Sequence, residues 1–387
     1  MNVLFLSQAS AIDDQLSYHR AFLELQRGGV VGRYRNIPFL GMARDCGWSG
    51  LWKNVVEHCA DFPTDLVFFQ FFHGAGIESP VGCVAALRKL KHAPVVAVSS
   101  GDLFSGAPLV RRPPKVFVDL AVAADVTFMT CMGSAAGYLK RRGARRITLM
   151  PHGYPTDLFP ALPPWEMKSA EFDVVMVASR CRALNPFRYT TWGALRRQRI
   201  VDLLYRRYGK RFAVFGHGWK GHPAWQGPVE YRRQTEAFRR GRLVVDGPPP
   251  FSQTYYASDR PFFVAGAGVP LVQFYTPRFD RIFKPDWHAY YVERDDATAA
   301  VCDSVLAMDP ALLGPRLEAA SRLVLGRHAC VHRVSTILSV CAAAARTAPE
   351  DAQGPAALRG VSLPFFHDEV DARAERATAC VNWGDAI

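Results

Sequence analysis

The sequence predicts an α/β fold made of two tandem doubly wound, Rossmann-like domains that face a central cleft. The chain has 387 residues, about 2.6 times the length of a typical domain. Short, continuous apolar runs alternate with segments of helical periodicity, and this alternation occurs in two separate series. Continuous apolar strands are typical of parallel sheets that helices cover on both faces, so each series predicts one such domain.

The first series predicts a domain over residues 1–160. Its opening strand, residues 2–7, precedes a segment from Leu16 to Arg27 with helical spacing, which ends at Gly28 and Gly29. Later elements follow the same pattern, with strands expected at 65–72, 94–99, 126–129 and 146–150 and helices at about 80–91 and 133–142.

The second series follows a linker at residues 161–171, where two prolines and the loss of periodicity break the pattern. It predicts a domain over residues 172–346. Its elements are strands at 172–178, 212–215, 243–245 and 271–275 and a helix at about 192–208. Residues 347–387 read as a loose connector and a C-terminal segment, in which a helix at 371–381 would return to the first domain.

The composition excludes several classes of protein. With 49% hydrophobic, 12% aromatic and 21% charged residues, the chain is neither disordered, collagen-like nor a coiled coil. It has no apolar run of about 18 residues and no secretory start, so we expect no membrane span and a cytoplasmic location. The nine cysteines are an odd number without Cys-x-x-Cys spacing, which favours reduced thiols over disulfides or a zinc site.

The positive charge is concentrated in one part of the chain. Residues 166–260 contain 18 Lys and Arg against 8 Asp and Glu, which is +10 of the total charge of +12. Arginine guanidinium groups suit phosphate oxygens, so an anionic partner or substrate is one interpretation and a solvated basic face is the other. Many of these arginines form doublets, at Arg196-Arg197, Arg206-Arg207, Arg232-Arg233 and Arg239-Arg240.

Two stretches of the second domain favour phosphate binding. Ser258, Asp259, Arg260, Pro261 and Phe262 have the residue types of a helix start, whose amides and dipole bind phosphate groups; the alternative is a capped structural helix. The run Gly216-His217-Gly218 follows a strand, so its backbone can approach a ligand closely.

The first domain offers two candidate catalytic residues. His73 and Asp102 each follow a strand, and the carboxyl ends of parallel strands meet at one edge of the sheet. His73 could hydrogen-bond a donor hydroxyl or act as a base toward the acceptor, and Asp102 could orient or deprotonate the acceptor. The alternatives are a histidine satisfied at a strand end and an aspartate that caps a turn.

Other site chemistries find no support in the sequence. There is no cluster of His, Asp and Glu with metal spacing and no Asp-x-Asp triplet in the second domain, so we expect metal independence and no resident cofactor. A Walker loop, a Gly-x-Gly-x-x-Gly fingerprint and a nucleophile elbow are also missing, which argues against ATPases, dehydrogenases and α/β-hydrolases.

The stretch from Arg242 to Arg333 resembles the carboxyl-terminal domain of GT-B glycosyltransferases, in particular their spore-maturation-type group. Residues 143–160 are similar to the stretch that leads into the interdomain linker of that family. The resemblance implies transfer of a hexose or pentose, with retention of configuration, from a nucleotide-diphosphate sugar such as a UDP-sugar. It places the donor on the second domain and the acceptor on the first. The motifs that carry the resemblance are Ser258-Asp-Arg-Pro-Phe262, Ala267-Gly-Val-Pro270, Asp280-Arg-Ile-Phe283 and His328-Ala-Cys-Val-His-Arg333.

The resemblance also implies roles for individual residues. Ser258 to Phe262 would border the donor diphosphate, and Arg180 matches a family Arg or Lys that neutralises it, with Arg188 and Arg199 as second candidates. The sequence departs from the family at Phe263 and Tyr255, where many relatives carry glutamates that bind the donor ribose. Asp259 is near enough in sequence to substitute for them.

The charge then favours an anionic acceptor, such as DNA with a modified base or an envelope polysaccharide or lipid precursor, and it allows peripheral membrane contact. Two alternatives stay open. One is a degenerate GT-B domain that binds nucleotide or nucleic acid without catalysis, and the other is a nucleotide-sugar epimerase with His73 and Asp102 as its acid and base.

Overall fold

The chain divides into two compact units. The computed structural model describes residues 1–74, 76–107, 110–159, 170–180, 189–346, 363 and 365–367. The first unit comprises Met1–Pro151 and the described residues from Cys330 onward, apart from Phe365–His367. The second unit comprises His152–Ala329 with Phe365–His367.

The first unit is built on a six-stranded parallel sheet in the order β2-β1-β3-β4-β5-β6. Its central strands are apolar runs with every residue buried, as expected for a sheet covered on both faces. The strands are β1 Val3–Ser7, β2 Tyr34–Pro38, β3 Leu66–Phe69, β4 Val95–Ser99, β5 Val126–Met129 and β6 Ile147–Leu149. The helices are α1 Leu16–Arg27, α2 Phe39–Asp61, α3 Val81–Leu87, α4 Lys115–Ala123, α5 Ser134–Arg141 and the last helix of the chain, α11 Cys330–Ala345.

The second unit is built on a five-stranded parallel sheet in the order β11-β10-β9-β7-β8. Its core includes Val174, Leu204, Trp219 and Val245, all fully buried. The strands are β7 Phe172–Val177, β8 Phe212–Phe215, β9 Gly241–Val245, β10 Leu271–Phe274 and β11 Tyr290–Val292. The helices are α6 Tyr189–Tyr208, α7 Gln234–Arg239, α8 Arg260–Gly266, α9 Thr298–Leu306 and α10 Pro310–Leu323.

The two sheets repeat one topology. In each unit the first strand lies between the second and the third, and the later strands continue outward beyond the third. The strand order therefore reverses beside β1 in the first unit and beside β7 in the second. Open sheets of this kind bind ligands at the carboxyl ends of the strands next to the reversal. The predicted fold class, two doubly wound Rossmann-like domains, is confirmed.

Several boundaries differ from those expected. Helix α11 belongs to the first unit, where it packs against α1 and β4, whereas the sequence assigned residues up to 346 to the second domain. Its Arg333 is fully buried and donates a hydrogen bond of 2.9 Å from Nε to the carbonyl of Pro151. The expected return helix at 371–381, and residues 161–169 of the expected linker, lie outside the described residues.

Neither membrane spans nor disulfides emerge from the described part of the chain. No single helix there has both the length and the apolar character that a bilayer crossing needs. The helices at 295–306 and 310–328 would be long and apolar enough only when taken together, and they are bent by 110° relative to each other. The seven cysteines within the described ranges form no disulfide with one another. Cys181 and Cys380 lie outside those ranges.

Candidate active site

The structure brings His73 and Asp102 together in the first unit. They follow β3 and β4, which are neighbouring parallel strands, and His73 Nδ1 lies 3.8 Å from Asp102 Oδ2. The His73 side chain is 19% exposed, so a ligand can reach it although most of the ring is covered. His73 and Asp102 therefore lie side by side at the carboxyl edge of this sheet.

The backbone around His73 is held by neighbouring loops. Phe71 adopts a positive φ of 50°, an unusual conformation for a residue with a side chain, and its N–H donates to Ser99 Oγ at 3.3 Å. The carbonyl of His73 accepts a hydrogen bond of 2.7 Å from Gln8 Nε2. The imidazole packs edge-on against Phe104, with 6.0 Å between the ring centroids. These contacts hold the ring beside Asp102.

Arg111 completes this cluster, and the sequence analysis did not identify it. Its Nη2 donates to Asp102 Oδ2 at 2.5 Å, and its guanidinium group lies 5.3 Å from the centroid of the Phe104 ring. Burial lowers the pKa of His73, Asp102 raises it and Arg111 lowers it, with a net shift below the usual 6.5. The imidazole is therefore neutral at pH 7, with Nδ1 toward the carboxylate and Nε2 on the other side of the ring.

A second cluster lies in the second unit, at the carboxyl ends of β9 and β10. It surrounds a cavity of about 50 Å³. Two guanidinium groups, one carboxylate and three uncharged polar side chains contribute to its wall. The lining residues are Arg197, Asp246, Gly247, Pro249, Pro250, Tyr256, Ala257, Ser258, Arg260 and Gln273.

A buried ion pair organises this cavity. Arg260 Nε donates to Asp246 Oδ1 at 2.8 Å, and the Asp246 side chain is only 2% exposed. Burial alone would lower the pKa of Arg260, but Asp246 and Asp259 outweigh burial and raise it. Arg197 Nη1 donates to the carbonyl of Ser179 at 2.5 Å. Two permanently charged guanidinium groups therefore line the cavity.

Two other polar atoms in this wall have unused hydrogen-bonding capacity. Gln273 Oε1 and Ser258 Oγ are buried and have no hydrogen-bond partner among the residues that the structure describes. Buried polar groups are normally paired with protein, water or ligand. The cavity thus combines positive charge with unsatisfied polar atoms, which suits an anionic, hydroxyl-bearing ligand.

The helix start predicted at residues 258–262 is present but differs in detail. Helix α8 has seven residues, and in the described structure Asp259 does not cap it; its Oδ2 accepts a hydrogen bond of 3.0 Å from the Tyr231 hydroxyl. Pro261 and Phe262 are buried, and Phe262 packs on the rings of Phe283 and His328. Of this stretch, Ser258 and Arg260 line the cavity, whereas the side chains of Pro261 and Phe262 belong to the core. The expected donor contact at Asp259, Pro261 and Phe262 stays a prediction.

Of the other residues expected on the donor side, Arg180, Arg199 and His217 do not line this cavity. Arg180 is exposed, its guanidinium group lies 5.7 Å from the Trp219 ring, and it does not line the cavity. Its N–H donates to the carbonyl of His217 at 2.8 Å, and His217 lines a separate cavity of about 460 Å³. Arg199 lies on the exposed face of α6, and Arg188 lies outside the described residues.

The run Gly216-His217-Gly218 is needed for a close approach between two loops. A Cβ atom on Gly216 would lie 2.5 Å from the carbonyl oxygen of Ala178, and one on Gly218 would lie 2.5 Å from that of Arg180. Gly218 also has a φ of 84°, which side-chain-bearing residues rarely adopt. The glycines therefore pack one loop of the unit against another.

Aromatic packing replaces the two family glutamates. Phe263 is fully buried and lies 4.8 Å from the Phe159 ring, 5.6 Å from Tyr231 and 6.2 Å from Tyr154. Tyr255 is also fully buried and packs on Phe366 at 5.9 Å. The position where relatives place a ribose-binding carboxylate is thus part of an apolar ring cluster.

The described residues contain no group of three or more His, Cys, Asp or Glu side chains arranged to hold a metal ion. The cations nearest the two clusters are instead arginines, namely Arg111 beside Asp102 and Arg197 and Arg260 around the cavity of the second unit.

Comparisons with known proteins agree with this architecture. A family model described as glycosyl transferase-like matches residues 196–339. A search of curated proteins finds no match.

Solved structures match most of the chain. HepE from Anabaena in complex with UDP and glucose is 12% identical, covers 88% of this chain and 99% of its own, and has a TM-score of 0.55. A structure described as E. coli trehalose-6-phosphate bound with UDP-2-fluoro glucose is 11% identical, with the same coverage and a TM-score of 0.58. Sucrose-phosphate synthase from Thermosynechococcus elongatus is 11% identical over 87% of this chain and 98% of its own, with a TM-score of 0.57. The chain therefore has the fold of these GT-B structures, and its residues 196–339 match the glycosyl transferase-like family model.

Proposed function

We propose that the protein is a glycosyltransferase that moves a sugar from a nucleotide-diphosphate sugar to an acceptor hydroxyl. The observation that carries the proposal is the cavity at the carboxyl ends of β9 and β10, with its two guanidinium groups and its unpaired Ser258 and Gln273 atoms. Structures of the same fold contain UDP, UDP-glucose or a fluorinated analogue, which supports a UDP-sugar as donor.

The donor side needs stabilisation of a leaving group. When the bond from the anomeric carbon to the diphosphate oxygen breaks, negative charge develops on the departing nucleoside diphosphate. Arg260 is held in place by Asp246, and Arg197 by the Ser179 carbonyl, so neither side chain has to reorganise as that charge appears. We propose that these two arginines supply the charge that a metal ion supplies in other transferases.

The acceptor side uses the cluster of the first unit. Nε2 of the neutral His73 hydrogen-bonds the acceptor hydroxyl, while Asp102 and Arg111 hold the ring. We propose retention, following the resemblance. The acceptor oxygen then bonds to the anomeric carbon and the diphosphate departs on the same face. As this bond breaks, the hydroxyl proton leaves its hydrogen bond with His73 Nε2 and passes to an oxygen of the departing phosphate. An inverted product would instead make His73 the base that takes this proton.

The acceptor is proposed to be anionic. The segment 166–260 carries most of the excess charge, and arginine-rich surfaces attract phosphate-bearing molecules. DNA with a modified base and envelope polysaccharide or lipid precursors meet this requirement.

The test is release of nucleoside diphosphate from a panel of nucleotide sugars, with and without a chelator. We expect turnover with at least one UDP-sugar that survives chelation. Arg260→Gln and Arg197→Gln should each reduce turnover at least about tenfold, the effect of losing one charge-stabilising contact. Arg322→Gln is the matched control, because Arg322 is exposed on α10 and pairs only with Glu318 within the described structure.

One observation favours a second candidate function. Phe263 and Tyr255 leave the ribose without the two carboxylates that relatives use, which suits a domain that binds nucleotide or nucleic acid without catalysis. No turnover with any donor, combined with tight DNA binding that falls steeply with salt, would favour this binding function over the transferase.

A further inference from the structure

Helix α6 presents two very different faces. One face packs into the core through Ile200, Val201 and Leu204, all of them buried. The opposite face repeats every three or four residues, the spacing of side chains that share one side of a helix. We call it the α6 stripe; it consists of Trp192, Leu195, Arg199, Leu203 and Arg206, with Lys210 just beyond the helix.

The α6 stripe is exposed and carries positive charge only. Trp192 is 63% exposed and Leu195 is 40% exposed, both high values for large hydrophobic side chains. Arg199, Arg206 and Lys210 are exposed as well, and none of the three forms an ion pair with any residue in the described ranges. Leu203 is only partly buried at the edge of the core.

The other cations of this region are already neutralised by the unit itself. Arg196 pairs with Asp295 at 2.8 Å, Arg207 with Asp303 at 2.8 Å and Arg211 with Asp173 at 2.6 Å. The acidic residues of these three pairs are therefore engaged by arginines outside the stripe. Asp202, which lies beside the stripe on α6, accepts a hydrogen bond of 2.7 Å from Gln198 Nε2 and lies 3.3 Å from His222 Nε2. The stripe keeps its full charge beside two exposed apolar side chains.

We infer that the α6 stripe docks the protein on an anionic lipid surface. An indole is favoured at the boundary between headgroups and acyl chains, and a neighbouring leucine side chain can enter the apolar layer. The cations along the same line attract anionic headgroups. Nucleic acid would also attract the cations, but it offers no apolar layer to cover Leu195.

The position of α6 connects this surface with the donor cavity. Arg197 lines that cavity from the face of the helix opposite the stripe, two positions before Arg199. Gly193 packs so closely on the loop after β9 that a Cβ atom there would lie 2.6 Å from Pro250 Cβ. Docking through α6 would hold the donor cavity near the membrane, so the acceptor class becomes a lipid-borne hydroxyl compound; this last step rests on the proposed function.

The experiment is co-sedimentation of the full chain with vesicles. One set contains phosphatidylcholine alone and the other contains phosphatidylcholine with phosphatidylglycerol. We expect binding to the anionic set only. Trp192→Ala/Leu195→Ala and Arg206→Gln/Lys210→Gln should each weaken binding about tenfold or more, since each stripe cation contributes roughly fivefold at an anionic surface.

The matched control is Lys89→Gln/Lys91→Gln, which removes the same charge from exposed positions in the first unit. Unchanged binding by this control supports the inference. Equal loss in both charge variants, no sedimentation of the unmodified chain, or displacement by duplex DNA that depends on the stripe would each overturn it.

Donor hydrolysis in the absence of lipid separates this inference from the proposed function. The Trp192→Ala/Leu195→Ala variant should hydrolyse the donor at the unmodified rate, because neither residue lines the donor cavity. Vesicle binding without any turnover would count against the transferase and leave the docking surface standing. Turnover without vesicle binding would count against the docking surface and leave the proposed transferase activity standing.

Discussion

Arg111 Nη2 and His73 Nδ1 lie on the same oxygen of Asp102, at 2.5 Å and 3.8 Å. The carboxylate is therefore shared between a permanent cation and a ring that can become one. Asp102 raises the pKa of His73 and Arg111 lowers it, while burial makes the largest contribution and lowers it. Asp102 and Arg111 therefore shift the pKa of His73 in opposite directions. A purely structural role for these two residues would not produce opposite shifts, so replacing each one tests their electrostatic effect.

We predict that Arg111→Gln raises the pKa of His73 and that Asp102→Asn lowers it further. Removal of a nearby positive charge favours the imidazolium, and removal of the carboxylate disfavours it. Titration of the His73 ring by NMR measures both changes directly. Shifts in the same direction for the two variants would contradict the electrostatic assignment.

The pH dependence of activity should follow the same signs. In the proposed mechanism the neutral ring is the active form. Turnover should therefore fall as the pH drops through the pKa of His73, which lies below 6.5. This acidic limb should move to higher pH in Arg111→Gln and to lower pH in Asp102→Asn. Arg112→Gln is the control, because Arg112 lies over the Tyr138 ring and does not pair with Asp102 in the described structure.

Gly218→Ala should destabilise the second unit by about 2–4 kcal/mol. The new Cβ would meet the Arg180 carbonyl at 2.5 Å, and the positive φ adds about 1–2 kcal/mol for a residue with a side chain. Urea unfolding measures the change.

Two other glycines separate the contributions to this cost. Gly221 has a φ of 92° with nothing within 4 Å of its Cβ position, so Gly221→Ala should show the backbone cost alone. Gly82 lies inside α3 with nothing within 4 Å of its Cβ position, and Gly82→Ala should stabilise the protein by up to about 1 kcal/mol. A Gly218→Ala cost no greater than that of Gly221→Ala would rule out the close approach of the two loops.

The buried pair of Arg260 and Asp246 should show strong coupling. Arg260→Met leaves the Asp246 carboxylate buried without its main partner, which should cost about 3 kcal/mol of unfolding free energy. Adding Asp246→Asn removes the stranded charge and should recover a large part of that loss. Additive effects in this double-mutant cycle would show that the two side chains do not depend on each other.

Continuous apolar runs made most of the fold predictable. Strands such as β3 and β7 are buried at every residue, and such runs are visible in hydropathy alone. Strand β2 escaped prediction because it is an edge strand with a single buried residue, Ile37. Helix α2 was not predicted because Gly47, with a φ of 70°, interrupts the helix, so the spacing of its apolar residues changes partway along.

The site was predictable only where topology itself brings residues together. His73 and Asp102 follow neighbouring parallel strands, so their meeting needed no knowledge of loop paths. Arg111 reaches Asp102 from a loop, and Arg197 reaches the donor cavity from a helix, so their positions depend on tertiary packing. The sequence does contain a signal for Asp246, because its carboxylate comes directly after the apolar run of β9. Phe262 shows the converse, because a residue in the right motif can be a core residue.

Phe263→Glu tests whether the ring cluster has truly replaced the family carboxylate. The cluster of Tyr154, Phe159 and Tyr231 around this position gives a charge no water and no counterion. We therefore expect the free energy of unfolding to fall by more than about 3 kcal/mol at pH 7, as for other buried unpaired charges.

The effect of Phe263→Glu should depend on pH. Burial would raise the folded-state pKa of the new carboxyl above its unfolded value, near 4.3 in model peptides. The loss should therefore be smaller at pH 4 and grow as the pH rises. Leu312→Glu, at an exposed position of α10, is the matched control and should change stability little at either pH. A Phe263→Glu protein as stable as the parent at pH 7 would mean that this position opens to solvent, which would restore the ribose-binding role that the buried cluster argues against.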